Sequence, residues 1–178
     1  MITFITGGAR SGKSSFAEGL YREKEDVVYI ATAIVTDEEM EDRVKMHQDS
    51  RPGEWRTFEG FRDMDKAVGS EENYILDCIT VLTSNIMFEK TKDLKRIDIE
   101  IQKQVEEEIF QEINKLIQKI RDKDKNLVLV SNEVGSSLVP EHHISRVFRD
   151  IQGRINQKVA GIADSAYLVA AGLPVKLK

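Results

Sequence analysis

Gly7-Gly8-Ala9-Arg10-Ser11-Gly12-Lys13-Ser14 is the stretch on which the fold turns. It fits G-x-x-x-x-G-K-[ST] without a substitution. The β-rich run Ile2-Thr3-Phe4-Ile5-Thr6 precedes it, and a helical stretch from about Lys13 to Glu23 follows. Glycines in such a turn let backbone N–H groups converge on phosphate oxygens, at the positive end of the helix that begins there. On this reading Gly7, Gly8, Ala9, Arg10, Ser11, Gly12, Lys13 and Ser14 bind a nucleotide. Lys13 reaches the β- and γ-phosphates as a catalytic cation, and the Ser14 hydroxyl ligates Mg²⁺. A chance glycine turn is the plain alternative, and the flanking strand and helix argue against it. Arg10 holds a variable position that either approaches a phosphate or faces solvent.

Working outward, strands and helices alternate. Val27-Val28-Tyr29-Ile30-Ala31 is almost wholly apolar, as in a strand covered on both faces. Thr36-Asp37-Glu38-Glu39 matches a capping box, and the helix it opens carries Met40, Val44 and His47 on one face before Pro52-Gly53 ends it. Trp55 to Phe58 suits a short edge strand. Tyr74-Ile75-Leu76-Asp77-Cys78-Ile79 is another strand. The longest helix is expected from around Leu94, with Ile97, Ile101, Val105, Ile109, Ile113, Leu116 and Ile120 as its apolar stripe. Glu89 to Arg96, which is charged, reads as a mobile loop. Leu127 to Val130 is a fourth core strand, and Phe148, Ile151, Ile155, Val159 and Ile162 mark the last major helix. Ala166 to Ala170 and Val175 to Leu177 close the chain around Gly172-Leu173-Pro174, the second antiparallel because the link is too short for a crossover. The pattern predicts an α/β fold with a mostly parallel central sheet, helices on both faces and an antiparallel C-terminal strand. Residues 1–178 read as a single domain.

Composition narrows the function. With 26 Lys plus Arg against 31 Asp plus Glu, the net charge is −5, without the basic surplus of a dedicated nucleic-acid binder. No apolar run approaches the roughly 20 residues of a membrane span, and the N-terminal run lacks the flanks of a signal peptide. One cysteine, Cys78, makes neither an internal disulfide nor a cysteine-cluster metal site, which favours a cytoplasmic home.

An acidic partner is expected at the carboxyl end of a neighbouring strand. Asp77 suits it, binding Mg²⁺ directly or through water, with a structural cap through Thr80 as the alternative. Asn132-Glu133 ends the strand at Leu127–Val130 and would share the rim with Lys13 and Asp77, or serve only as turn residues before Gly135.

Together these segments resemble a known family. The loop with Tyr29-Ile30-Ala31-Thr32, Arg43, His47 and Arg51-Pro52 with Trp55 is similar to bifunctional adenosylcobinamide kinase/adenosylcobinamide-phosphate guanylyltransferase. So are Asp77-Cys78-Ile79-Thr80, Ser131-Asn132-Glu133-Val134-Gly135, Val139-Pro140 and the run from Arg146 to Gln157. The resemblance implies a RecA-like fold and a homotrimer. It implies phosphorylation of adenosylcobinamide by ATP or GTP, then transfer of GMP from GTP to adenosylcobinamide phosphate through a guanylyl-histidine. The family's guanylylated histidine falls on His47, whose neutral imidazole is able to attack the α-phosphorus. On its residues alone, His47 is also a plain core or interface histidine. Arg51, Arg149 and Arg154 are candidates for phosphate or corrinoid contacts, with Arg51 placed among the nucleotide-binding residues, or else surface ion-pair partners. His142 and His143 receive no catalytic role. Ser137 stands where the family commonly has glycine, and would be strained if that backbone needed positive φ. Two other readings stay open: a small-molecule P-loop kinase without guanylyl transfer, and a RecA-like ATPase module.

Overall fold

β-Branched and aromatic residues build a sheet whose carboxyl edge collects the candidate site. The structure is a computed structural model that describes residues 1–34, 52–94 and 96–178. Its strands are β1 (Ile2–Gly7), β2 (Val27–Ala31), β3 (Arg56–Glu59), β4 (Asn73–Asp77), β5 (Asn126–Asn132), β6 (Ser165–Ala170) and β7 (Leu173–Lys176). Its helices are α1 (Lys13–Gly19), α2 (Ile79–Thr91), α3 (Ile99–Asp122) and α4 (His143–Ile162), with a short 3₁₀ turn at Met64–Ala67. The sheet order is β3-β2-β4-β5-β1-β6-β7. All neighbours pair in parallel except β6 and β7, which are antiparallel, as the sequence predicts.

The period-2 alternation of strand side chains divides the core. Ile2, Phe4, Val28, Ile30, Tyr74, Leu76, Leu127 and Leu129 join a large cluster with α2, α3 and α4. Ile5, Val27, Tyr29, Ile75, Val128 and Val130 join a smaller one with Ala17 of α1 and Trp55. Phe16 of α1 meets Tyr167 of β6 edge to face at 5.3 Å. Each aliphatic side chain so buried contributes about 1.5–3 kcal/mol, which fixes the register along the whole sheet.

Several boundaries differ from expectation. The principal one is α2, which the sequence hides. Ile79-Thr80-Val81-Leu82-Thr83 continues the β-branched run of β4, and the helix is buried on several sides, so no single apolar stripe appears in it. Cys78 is its N-cap, the Sγ accepting from the Val81 N–H at 3.4 Å. Glu89 is therefore in the last turn of a helix, paired with Arg62 at 2.5 Å, and not in a mobile loop. The long helix α3 starts at Ile99 and not near Leu94, because Asp98 caps it by accepting from the Ile101 N–H at 2.9 Å. Ile97, just outside it, is still buried in the core. α1 is shorter than expected, passing into turns after Gly19. β7 begins at Leu173, two residues earlier than read, since Ala171 and Gly172 (φ 51° and 80°) make a two-residue hairpin turn. The capping box at Thr36–Glu39 and the helix bearing Met40, Val44 and His47 lie outside the described residues, as do Arg43 and Arg51. Among the described residues no helix is long and apolar enough to cross a membrane.

Candidate active site

Parallel pairing brings the carboxyl ends of β1, β5, β4 and β2 to one rim. In register, Gly7 of β1 stands beside Asn132 of β5, and Asp77 of β4 beside Ala31 of β2. The phosphate loop leaves β1 at that rim. Its tightness comes from Gly12, whose φ of 91° is left-handed and disfavours a side chain, and from Arg10 at φ 57°. The Ser11 N–H donates to the Gly8 carbonyl at 3.3 Å, and the Phe16 N–H to Gly12 at 2.9 Å. No side chain caps α1, so its first amides remain available to a ligand.

The loop is braced from outside by the β6–β7 hairpin. The Gly172 N–H donates to the Ser11 carbonyl at 2.8 Å. A Cβ on Gly7 would stand 2.4 Å from the Val169 carbonyl oxygen, and one on Gly12 would stand 3.2 Å from the Gly172 Cα. Lys13 is only 8% exposed. Its Nζ donates to the Gly8 carbonyl at 3.2 Å, across the loop. No described carboxylate neutralises it. Ser14 is half-buried.

Asp77 ends β4, its Oδ2 accepting from the Tyr29 hydroxyl at 2.9 Å. Cys78 follows, free and buried. Burial pushes its thiol up to about 11, the Asp77 charge adds to that rise, and the ammonium of Lys13 partly opposes it. Lys13 and the Asp77–Cys78 turn thus share one electrostatic neighbourhood. Thr32, fully buried after β2, holds this turn: its Oγ1 donates to the Cys78 carbonyl at 2.8 Å and accepts from the Cys78 N–H at 2.9 Å. Asn85 of α2 donates to the Thr32 carbonyl at 2.8 Å.

A cleft of about 740 Å³ opens between the loop and its neighbours. Gly8 to Ser11 form one wall, Asn132 to Val134 with Ser136 and Ser137 another, and Leu168 to Ala171 a third. The volume is in the range of small-ligand pockets. Glu133 lines it but also has the turn role, its Oε1 accepting from the Gly135 and Ser136 N–H groups at 2.6 and 3.1 Å. Ser137 is not among the residues with positive φ, so serine is accommodated there without the strain considered above.

The remaining candidates sit elsewhere. Arg154 pairs with Glu106 of α3 at 2.6 Å, and Arg149 with Asp150 at 3.2 Å. His142 precedes α4 as its N-cap, and the His143 Nε2 lies 3.2 Å from the Ile97 carbonyl. Sequence reasoning missed the support behind the rim. Gln152 and Asn156 are buried polar residues one turn apart on the otherwise apolar face of α4, and they bond to Ser131. That interruption of an apolar stripe was the available signal. Among the described residues no three of His, Cys, Asp and Glu cluster as a metal site.

The chain is similar to proteins of known activity. Residues 3–177 match the model of the family "Cobinamide kinase / cobinamide phosphate guanyltransferase". The chain is 39% identical over 182 residues to the bifunctional adenosylcobalamin biosynthesis protein CobU of Escherichia coli, covering 100% of both. It is 40% identical over 184 residues to the CobU of Salmonella typhimurium, again covering 100% of both. To the bifunctional adenosylcobalamin biosynthesis protein CobP of Pseudomonas aeruginosa it is 34% identical, covering 98% of that protein. A solved structure, a prototypical ATPase from the type III secretion system of pathogenic bacteria, superposes with a TM-score of 0.53 at 12% identity. The superposition takes in 98% of this chain and 56% of that one, and it shows a RecA-like α/β fold alone.

Proposed function

The chain belongs to the cobinamide kinase / cobinamide phosphate guanyltransferase family, and we propose that its phosphate loop holds the donor nucleotide while His47 carries the guanylyl group. The protein is an adenosylcobinamide kinase and adenosylcobinamide-phosphate guanylyltransferase of cobalamin biosynthesis, with ATP and GTP as substrates.

One observation carries the site assignment. The Lys13 ammonium is buried with a neutral carbonyl as its partner. Among the described residues no carboxylate forms an ion pair with it, and an arriving polyphosphate supplies that charge. The loop amides and Lys13 supply local positive potential on a chain of net charge −5. Ser14 and Asp77 are the residues that would hold Mg²⁺. The fit is favourable: the Ser14 hydroxyl and the Asp77 Oδ1 have no hydrogen bond among the described residues, and one hydroxyl plus one carboxylate is the sparse oxygen set that Mg²⁺ accepts beside water and phosphate. When bound, the ion neutralises charge on the β- and γ-phosphates.

In the kinase step the cobinamide hydroxyl oxygen bonds to the γ-phosphorus. The bond from that phosphorus to the β–γ bridging oxygen breaks, the diphosphate leaves with the electron pair, and the hydroxyl proton goes to solvent. In the second reaction an imidazole nitrogen of His47 bonds to the α-phosphorus of GTP and pyrophosphate leaves. A phosphate oxygen of adenosylcobinamide phosphate then bonds to that phosphorus and the N–P bond breaks, regenerating the imidazole and giving adenosyl-GDP-cobinamide. Arg51, four residues beyond His47, is a candidate for the phosphates of that GTP. We further propose a homotrimer and a cytoplasmic location, as the resemblance to the family implies, and one domain over residues 1–178.

The test is incubation with α-labelled GTP and Mg²⁺. The wild-type protein is expected to become acid-labile label-bearing protein, and His47→Ala to remain unlabelled while still phosphorylating adenosylcobinamide. Label retained by His47→Ala overturns the assignment. Unlabelled wild type with accumulating cobinamide phosphate supports the kinase without guanylyl transfer.

A further inference from the structure

The two carboxylate oxygens of Asp77 stand in different situations. Oδ2 accepts from the Tyr29 hydroxyl at 2.9 Å, and Oδ1 makes no hydrogen bond with any described residue. The sheet register explains the pairing. Tyr29 stands beside Ile75, and Ala31 beside Asp77, so Tyr29 and Asp77 are diagonal neighbours on one face of the sheet. That face is the one α1 covers, since Tyr29 and Ile75 share a core cluster with Ala17. α1 opens with Lys13 and Ser14, so Asp77 lies on the phosphate-loop side of the sheet.

The hydroxyl oxygen has a fixed place, because the Tyr29 ring is buried within that cluster. The backbone around Asp77 is fixed as well. Its carbonyl accepts from the Thr32 N–H at 3.3 Å, and the Thr32 Oγ1 holds the Cys78 peptide that follows. With the main chain immobilised, the phenol settles how the carboxylate is turned. A phenylalanine would fill the same space with no polar group to desolvate, so packing alone does not account for the phenol.

The consequence is for coordination. A carboxylate with one oxygen committed offers a cation only the other. Mg²⁺ is content with that, since it demands near-octahedral geometry and fills its remaining places with water and phosphate. Ca²⁺ takes about six to eight oxygens in looser geometry and often draws both from one carboxylate. We infer that Tyr29 holds Asp77 to a one-oxygen mode of metal binding and so selects Mg²⁺ over Ca²⁺ at the phosphate loop. This rests on the reading that Ser14 and Asp77 hold the metal. Tyr29 acts through Asp77 and is a positioning residue.

The experiment is calorimetric titration of wild type, Tyr29→Phe and Asp77→Asn with a non-hydrolysable ATP analogue, in Mg²⁺, in Ca²⁺ and in a chelator. The quantity read is the gain in affinity that each metal brings over the chelator. In wild type Mg²⁺ is expected to bring the larger gain. In Tyr29→Phe the Mg²⁺ gain should fall about tenfold, the usual worth of a residue that orients a metal ligand, while the Ca²⁺ gain is undiminished. Affinity in the chelator should match wild type, which reports an intact loop and fold. Asp77→Asn should lose both gains. Equal gains from the two metals in wild type overturn the inference. So do unchanged gains in Tyr29→Phe, or an equal loss with both metals, provided Asp77→Asn loses its gains. Wild-type gains in Asp77→Asn overturn the metal reading of Asp77 itself, and the inference falls with it.

Discussion

Gly7 and Gly12 are the fixed glycines of the phosphate-loop motif and Gly8 holds one of its variable positions, and replacing each by alanine measures how the fold constrains it. At Gly7 the new Cβ would stand 2.4 Å from the carbonyl oxygen of Val169 and 2.6 Å from the Ser11 Oγ. The first is backbone in the β1–β6 ladder, where Gly7 is in register with Val169, so the strands themselves must move. Overpacking of that kind costs about 3 kcal/mol. At Gly12 the cost is conformational, about 1–2 kcal/mol for an L-residue at φ 91°, plus a tight 3.2 Å approach to the Gly172 Cα, about 2 kcal/mol in all. At Gly8 a Cβ meets nothing within 4 Å, and the change in stability stays within about 0.5 kcal/mol. A domain of this size loses about 2–4 °C in Tm per kcal/mol. Gly7→Ala should therefore melt about 6–12 °C low, Gly12→Ala about 4–8 °C low, and Gly8→Ala with the wild type. The single tryptophan, Trp55, is buried and donates to the Lys24 carbonyl at 2.8 Å, so its fluorescence reports unfolding. Equal melting of all three variants, or a Gly8→Ala as unstable as Gly7→Ala, would refute the reasoning.

Three further predictions concern the rim. Thr32→Val keeps the shape of a fully buried side chain but leaves the N–H and carbonyl of Cys78 without their partner, costing about 2–4 kcal/mol in urea unfolding, and Thr32→Ser should recover most of it. Full stability in Thr32→Val would show that the Cys78 peptide finds other partners. The thiol of Cys78 is raised from 9.0 to about 11 by burial and then by Asp77. The unfolded chain loses that proton first, so its contribution to stability is complete below pH 9 and disappears as pH rises from 9 to about 11. Unfolding titrations over that window should show the loss, and Cys78→Ala should flatten it. At pH 8 the folded protein should resist thiol reagents, and rapid labelling without unfolding would contradict the burial.

How far the chain was legible depended on whether a pattern or a contact decided each element. β2 was readable to the residue because five apolar or small residues stand between polar turns. α2 was not, because a helix packed on several sides shows no stripe and its β-branched start prolongs the strand before it. Lys13 was legible from the loop motif that opens α1, and Asp77 as a strand-end residue, since parallel strands gather their carboxyl ends at one edge. Thr32, Ser131, Gln152 and Asn156 were not, since a buried polar side chain is explained only by partners that the linear order keeps apart.

By itself the sequence determined the strand–loop–helix at the N-terminus, the parallel α/β class and the family, because alternation, glycine spacing and ordered motifs are local properties that survive without coordinates. Tertiary structure decided which loop glycine is required and why, that Glu133 turns its own loop, and that Asn132 presents a free carboxamide beside the phosphate loop. The physical reason is common to all three. Steric clearance and hydrogen-bond satisfaction are set by groups brought together across the sheet, such as Gly7 with Val169 and Asn132 with Thr80 and Asn156, and each is distant in the chain from the residue it constrains.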